Sequence, residues 1–213
     1  PVGEIAVAHT ALQSDLTLGR KIKIHTKKDG LPNLKNVQIA IIGISESRGA
    51  VDNVGTGKGL EVIRKYLYQM FPGNWNLRVA DLGNIPEGNE TGDTYFLIQE
   101  ILGELLEQNI TPIIIGGSQD ITYASYRAYD RLNKPVNIVS VDNRFDIGEM
   151  DPKLNARNYL HYIVMDKPNN MFNYSNIGFQ TFFNSQEEID LMDKLFFEAY
   201  RLGEVTHDLT AVE

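Results

Sequence analysis

Residues Thr111 to Asp146 read TPIIIGGSQDITYASYRAYDRLNKPVNIVSVDNRFD, and the rest of the chain is organised around them. Ile113-Ile114-Ile115 is a continuous β-branched run, the pattern of a strand buried on both faces. Gly116-Gly117 ends it with a backbone free to turn tightly. Ser118 and Asp120 are N-cap residue types for a helix over Ile121–Leu132, which Asn133-Lys134-Pro135 then breaks. Ile138–Val141 is a second buried run. It stops at Asp142, and a second acid follows at Asp146. Polar residues therefore end both strands of a strand–helix–strand unit, at the edge where open parallel sheets bind ligands.

The same alternation extends outward. Val37–Ile44 and Leu77–Leu82 read as strands. Gly59–Met70 (Leu60, Ile63, Leu67, Met70) and Asp93–Gln108 (Leu97, Ile98, Ile101, Leu102, Leu105, Leu106) carry apolar residues at helical spacing. Asp15–Ile24 alternates in patches and suits an edge strand. Residues 148–158 read as loop, Tyr159–Met165 as a strand and Ser175–Phe179 as another. Ser185 and Glu188 form a capping box for a last helix with an apolar face of Leu191, Leu195, Phe196 and Ala199, and Gly203 stands where its C-cap is expected. Strands alternating with helices predict an α/β fold: a three-layer α-β-α sandwich around a mainly parallel sheet, in one domain over residues 1–213.

Composition narrows the function classes. The 213 residues are 42% hydrophobic and 23% charged, ordinary for a globular domain. A net charge of −8 argues against broad capture of nucleic acid or anionic membrane. With no cysteine there is no disulfide framework, thiolate metal site or cysteine nucleophile. That fits a cytoplasmic protein. No apolar run approaches a membrane span, and the first residues lack the pattern of a signal peptide.

Three features bear on chemistry. Gly55-Thr56-Gly57-Lys58-Gly59 precedes a helix, where free N–H groups bind phosphate. Gly59 stands where a P-loop needs Ser or Thr, so the run reads first as a loop entering a helix and only weakly as a nucleotide site. Asp142 and Asp146 at a strand end suit a divalent cation; as plain loop acids they would cap turns or bind arginine. His9, His25, His161 and His207 show no metal-ligand spacing, and His161 is the one to watch as a catalytic candidate.

The chain resembles the ureohydrolase superfamily of arginase, agmatinase and formimidoylglutamase. GTGKGLEVIR (Gly55–Arg64) resembles the family's glycine-containing loop running into a helix with an Ile-Arg pair. IIIGGSQD (Ile113–Asp120) resembles its strand ending in GGDHS, and VSVDNRFD (Val139–Asp146) its strand ending in DAHxD. Ile177–Val205 looks most like the formimidoylglutamase branch. The resemblance implies an arginase-like fold and two Mn²⁺ ions that activate a bridging water to attack a guanidinium or formimino carbon. A small amidine or amino-acid-like ligand and further copies of the chain are the expected partners.

This chain departs from the family where the metals would sit. Gln119 and Arg144 replace the two motif histidines, Asp142 and Asp146 remain, and the family's later Asp-x-Asp strand end has no counterpart. The C-terminal strands are accordingly expected to be missing. Ser118, Asp120 and Asn143 are the remaining pocket candidates, with Asp120 a conceivable shifted ligand. A guanidinium about 4 Å from a divalent ion is repelled by roughly 8 kcal/mol at an effective dielectric near 20. Arg144 is therefore expected either to pair with Asp142 or Asp146 in the cation's place, or to swing outward. Two functions follow: an arginase-family protein with a degenerate, non-catalytic metal site, or an active hydrolase turning N-formimino-L-glutamate into L-glutamate and formamide.

Overall fold

The structure is a computed structural model that describes residues 1–148 and 152–207. Its strands are β1 (Lys23–Ile24), β2 (Ile39–Ile44), β3 (Val79–Ile85), β4 (Thr111–Ile115), β5 (Val136–Val141), β6 (Met171–Phe179) and β7 (Glu198–Arg201). The helices are α1 (Glu4–Thr10), α2 (Leu18–Lys21), α3 (Leu60–Gln69), α4 (Thr91–Glu107), α5 (Ile121–Arg131), α6 (Tyr159–Met165), α7 (Gln186–Lys194) and α8 (Leu202–His207). Hydrogen bonding groups the strands into two sheets, β1-β3-β2-β4 and β5-β6-β7, and every strand pairing within them is parallel.

The alternation along β2 decides the layers. Ala40, Ile42 and Ile44 point into a core with Ile98, Leu102 and Leu105 of α4 and Ile121, Ala124 and Ala128 of α5. On the opposite face, Ile41 packs with Leu60 of α3 and Ile115 of β4. Helices thus cover both faces of the first sheet, the α/β sandwich the pattern predicts. A second core joins Tyr126 of α5 and Leu160 and Ile163 of α6 to Tyr174 of β6 and Met192 of α7.

The two buried runs at the centre of the sequence differ from expectation. Among the described residues β4 pairs only with β2 and leaves Ile113 45% exposed; β5 pairs only with β6 and leaves Val141 81% exposed. On β4 the described residues bury Ile115 but not Ile113 of the same side, and on β5 they leave the Asn137, Val139 and Val141 side exposed. Tyr159–Met165 is helix, not strand: Tyr159, Leu160 and Ile163 are buried at helical spacing and share one face. The last helix ends at Lys194 rather than near Gly203. Phe196 takes a left-handed φ of 57°, and the chain re-enters the sheet as β7, with Phe197 just before it and Ala199 within it packed into the second core. Gly203 lies within α8. Of the proposed Asp15–Ile24 strand only Lys23–Ile24 pairs, beside β3. The loop expected over 148–158 falls partly on 149–151, outside the described residues.

Ser185 and Glu188 form the expected capping box at the start of α7. Ser185 Oγ accepts the Glu188 N–H at 3.1 Å, and Glu188 Oε2 accepts the Ser185 N–H at 2.7 Å. Ser185→Ala is expected to cost about 1 kcal/mol, read from the midpoint of urea unfolding.

Candidate functional site

The carboxyl ends of β4 and β5 open into one cavity of about 260 Å³, closed on a third side by the loop after β2. Its charged lining is Asp52, Asp142, Asp146, Arg144 and Arg157, with Thr56, Ser118 and Gln119 among the polar groups.

The β4 side is set by two glycines. Gly116 and Gly117 have φ of 81° and 82°, and a Cβ on Gly116 would stand 2.4 Å from Leu60 Cδ2. Only glycine makes this double left-handed turn under α3 without strain. The turn delivers Ser118 to the cavity with its N–H donated to the Glu46 carbonyl at 3.0 Å. Ser118 is 3% exposed, and its Oγ has no hydrogen-bond partner among the described residues. Neither Ser118 nor Asp120 caps α5 through its side chain. Gln119 lines the cavity, and its amide donates to Thr122 Oγ1 at 3.1 Å.

The β5 side alternates around its loop. Asp142 Oδ1 accepts the Arg144 N–H at 3.0 Å, a tight Asx-type turn. Phe145 is buried against Phe179, ring centroids 4.9 Å apart, and its N–H reaches Asn184 Oδ1 at 2.9 Å. With Phe145 anchored inward, Asp142, Arg144 and Asp146 are left on the cavity side. Asp146 takes a left-handed φ of 53°, which aspartate tolerates better than most residues. Its side chain is buried. Burial, then the negative charge of Asp142, pushes its carboxyl up to about 7 despite opposing fields from Arg144 and Arg157.

Arg144 resolves one expectation against the first alternative. Its guanidinium forms no ion pair with Asp142 or Asp146 among the described residues; it donates to the Phe183 carbonyl at 2.5 Å and lies 5.1 Å from the centre of the Phe183 ring. A carbonyl and an aromatic face satisfy a weakly hydrated planar cation. Arg157 is paired with Asp52.

The β2–α3 loop forms the third wall and carries Glu46 and Arg48, which no local motif marks. Glu46 is fully buried. Burial raises its carboxyl, but hydrogen bonds from Arg48 and Thr94 prevail and hold it at about 2. Arg48 also donates to the Asn89 and Gly88 carbonyls at 2.9 and 3.0 Å, tying this loop to the one before α4. Asp120 lies behind the cavity instead of lining it: its carboxylate accepts the Tyr95 hydroxyl and lies against Gly49. Burial and that carboxylate raise the Tyr95 phenol, which stays a donor. The glycine run serves packing, since a Cβ on Gly57 would stand 2.0 Å from the Ser45 carbonyl oxygen.

Two other candidates fall outside the cavity. Asn143 is absent from its lining and holds the loop through its carbonyl, which accepts from Gln180 N and Asn184 Nδ2. His161 is on α6, half-buried, with Nδ1 3.1 Å from the Gly148 carbonyl, and does not line the cavity. Among the described residues no group of three or more His, Asp or Glu side chains is placed to hold a metal. A manganese pair needs several hard oxygen or imidazole donors per ion. Asp52 is held by Arg157, and the two carboxylates left, Asp142 and Asp146, with no imidazole beside them, do not fit such a centre.

No helix among the described residues is long and apolar enough to cross a membrane. The formimidoylglutamase of Staphylococcus carnosus is 22% identical over 186 residues, covering 83% of this chain and 58% of the relative. That of Streptococcus gordonii is 28% identical over 134 residues, 56% of this chain and 40% of the relative. Trypanosoma cruzi formiminoglutamase, solved with Mn²⁺, superposes with a TM-score of 0.73 at 18% identity, covering 82% of this chain and 63% of that one. Formimidoylglutamase from Bacillus subtilis gives 0.74 at 16% identity, over 88% and 60%. The chain thus spans less than two thirds of the length of these relatives, within the α/β sandwich they share. The model of the arginase family matches residues 37–212, from the start of β2 through every element that builds the cavity, and the chain belongs to that family.

Proposed function

We propose that the cavity is a remodelled ureohydrolase site, a small-ligand pocket that does not run two-metal hydrolysis of linear amidines. The observation that carries this reading is the lining itself. Both positions given to histidine by the family motifs hold Gln119 and Arg144, and none of the four histidines faces the cavity. A hydroxide generated on a metal pair needs both ions bound and fixed, and this lining supplies Asp142, Asp146 and an Asp52 already paired with Arg157.

The second reading, hydrolysis of N-formimino-L-glutamate to L-glutamate and formamide, has one observation in its favour. Arg144 is turned onto Phe183, so its guanidinium does not cap the Asp142–Asp146 pair. The test is metal content after incubation of the full-length protein with Mn²⁺ and desalting, with glutamate release assayed in parallel. We expect well under one manganese per chain and no turnover. About two ions per chain with turnover would establish the second reading instead. The variant Gln119→His/Arg144→His removes a positive charge and adds two imidazoles. It is expected to raise Mn²⁺ affinity at least tenfold, of the size seen when groups around a metal are altered.

A further inference from the structure

We propose that a primary alkylammonium group binds directly on Asp142 and Asp146, with Ser118 Oγ as its third contact, in the place the family gives to metal ions. The inference deepens the reading above and rests on it.

Four observations lead there. The Asp146 side chain, 8% exposed, faces the cavity, and its carboxylate has neither a hydrogen bond nor an ion pair among the described residues. Asp142 spends one oxygen on the Arg144 N–H. The nearby guanidiniums are engaged elsewhere, Arg157 on Asp52 and Arg144 on Phe183. Ser118 lines the same cavity, is 3% exposed, and has a buried Oγ with no partner among the described residues. A buried unpaired carboxylate beside a second one is costly, and native structures rarely leave buried polar atoms unsatisfied.

The acceptors select the head group. An ammonium has three N–H donors and no acceptor, which matches two carboxylates and one hydroxyl. Thr56 Oγ1, also buried and without a partner among the described residues, is a fourth acceptor, on the wall formed by the β2–α3 loop. Ala50, Val51 and Ala156 supply an apolar side for a short alkyl stem, and about 260 Å³ admits a chain of a few carbons.

The experiment is calorimetric titration of the full-length, chelator-treated protein at pH 8 with n-butylammonium chloride. Sodium chloride controls for ionic strength, and n-butanol and n-butylguanidinium chloride are the comparison ligands. We expect saturable binding of n-butylammonium, at least tenfold tighter than n-butanol. Asp146→Asn and Asp142→Asn should each weaken it at least tenfold and Ser118→Ala severalfold, with unchanged circular dichroism. Equal binding of n-butanol, no effect of either aspartate variant, or clearly tighter n-butylguanidinium would overturn the assignment. If n-butylammonium fails to bind while Mn²⁺ also fails, the ammonium site is wrong and the remodelled-site reading stands. Two bound Mn²⁺ ions would overturn both.

Discussion

Arg64→Met is expected to lower the stability of the protein by about 3–5 kcal/mol, the cost of leaving one partner of a buried pair uncompensated. Arg64 and Asp81 are both fully buried. The guanidinium donates to both Asp81 oxygens at 2.8 and 3.0 Å, to Asn84 Oδ1 at 2.5 Å and to the Gly83 carbonyl at 3.0 Å. Asp81 also accepts the Tyr68 hydroxyl at 2.7 Å and the Gly83 N–H at 2.9 Å. Burial lowers the Arg64 pKa, yet Asp81 outweighs it and leaves the guanidinium more firmly protonated than usual. Removing it strands a carboxylate with two neutral donors. The loss reaches the site because this network ties α3 to the end of β3 and lies against Gly43, where a Cβ would stand 2.9 Å from Arg64 Nη1. The loop that walls the cavity leaves the sheet two residues later. Urea unfolding measures the cost. The double variant Arg64→Met/Asp81→Leu should recover part of it, because no charge is then left buried. A single-variant loss below about 1 kcal/mol would show that water reaches Asp81 and that the pair is not what holds the strand end.

The pair illustrates what a sequence carries plainly and what it hides. Strands β2, β4 and β5 are legible because continuous β-branched runs have few other uses. Gly116-Gly117 is legible as a turn because two left-handed residues in succession almost require glycine. Tyr159–Met165 is ambiguous: an apolar run of seven residues fits either a strand or one buried helix face, and what decides it is the Tyr159–Leu160–Ile163 packing onto β6, a tertiary fact. Phe196 and Ala199 continue an apparent helical face in sequence, yet Phe196 reverses the chain and is exposed, and Ala199 packs into the second core from β7.

The site divides in the same way. The local strand–loop pattern puts Asp142 and Asp146 at a strand end, and the cavity contains both. The partners that shape its walls come from far along the chain. Glu46 and Thr94 are 48 residues apart, Tyr95 and Asp120 are 25 apart, and Asp52 and Arg157 are 105 apart. No spacing rule connects such pairs; only the fold does. The orientation of Arg144 is likewise set by Phe183, from the turn after β6, and not by its sequence neighbours.

Asp146→Asn should make chelator-treated protein more stable than wild type at pH 8 while changing little at pH 4. The wild-type carboxyl titrates near 7 in the folded chain because burial, then Asp142, disfavours its charge. In the unfolded chain an aspartate titrates near 4. A raised folded pKa means that the folded state holds the proton more tightly. The stability this group contributes is therefore complete below about pH 4 and is lost as pH rises from about 4 to 7. Three pH units correspond to about 4 kcal/mol as an upper bound. Asparagine is neutral throughout, accepts the same left-handed backbone, and has no such loss. The check is urea unfolding of both proteins from pH 4 to 8: the difference between them should grow by a few kcal/mol, most steeply between pH 5 and 7. Parallel curves would mean that the carboxylate is already neutralised in the fold, against the buried-acid account. Repeating the series with Mn²⁺ separates the two readings of the site. A bound divalent ion would hold Asp146 ionised and stabilise wild type above pH 7, whereas a pocket that rejects the metal leaves both curves where they were.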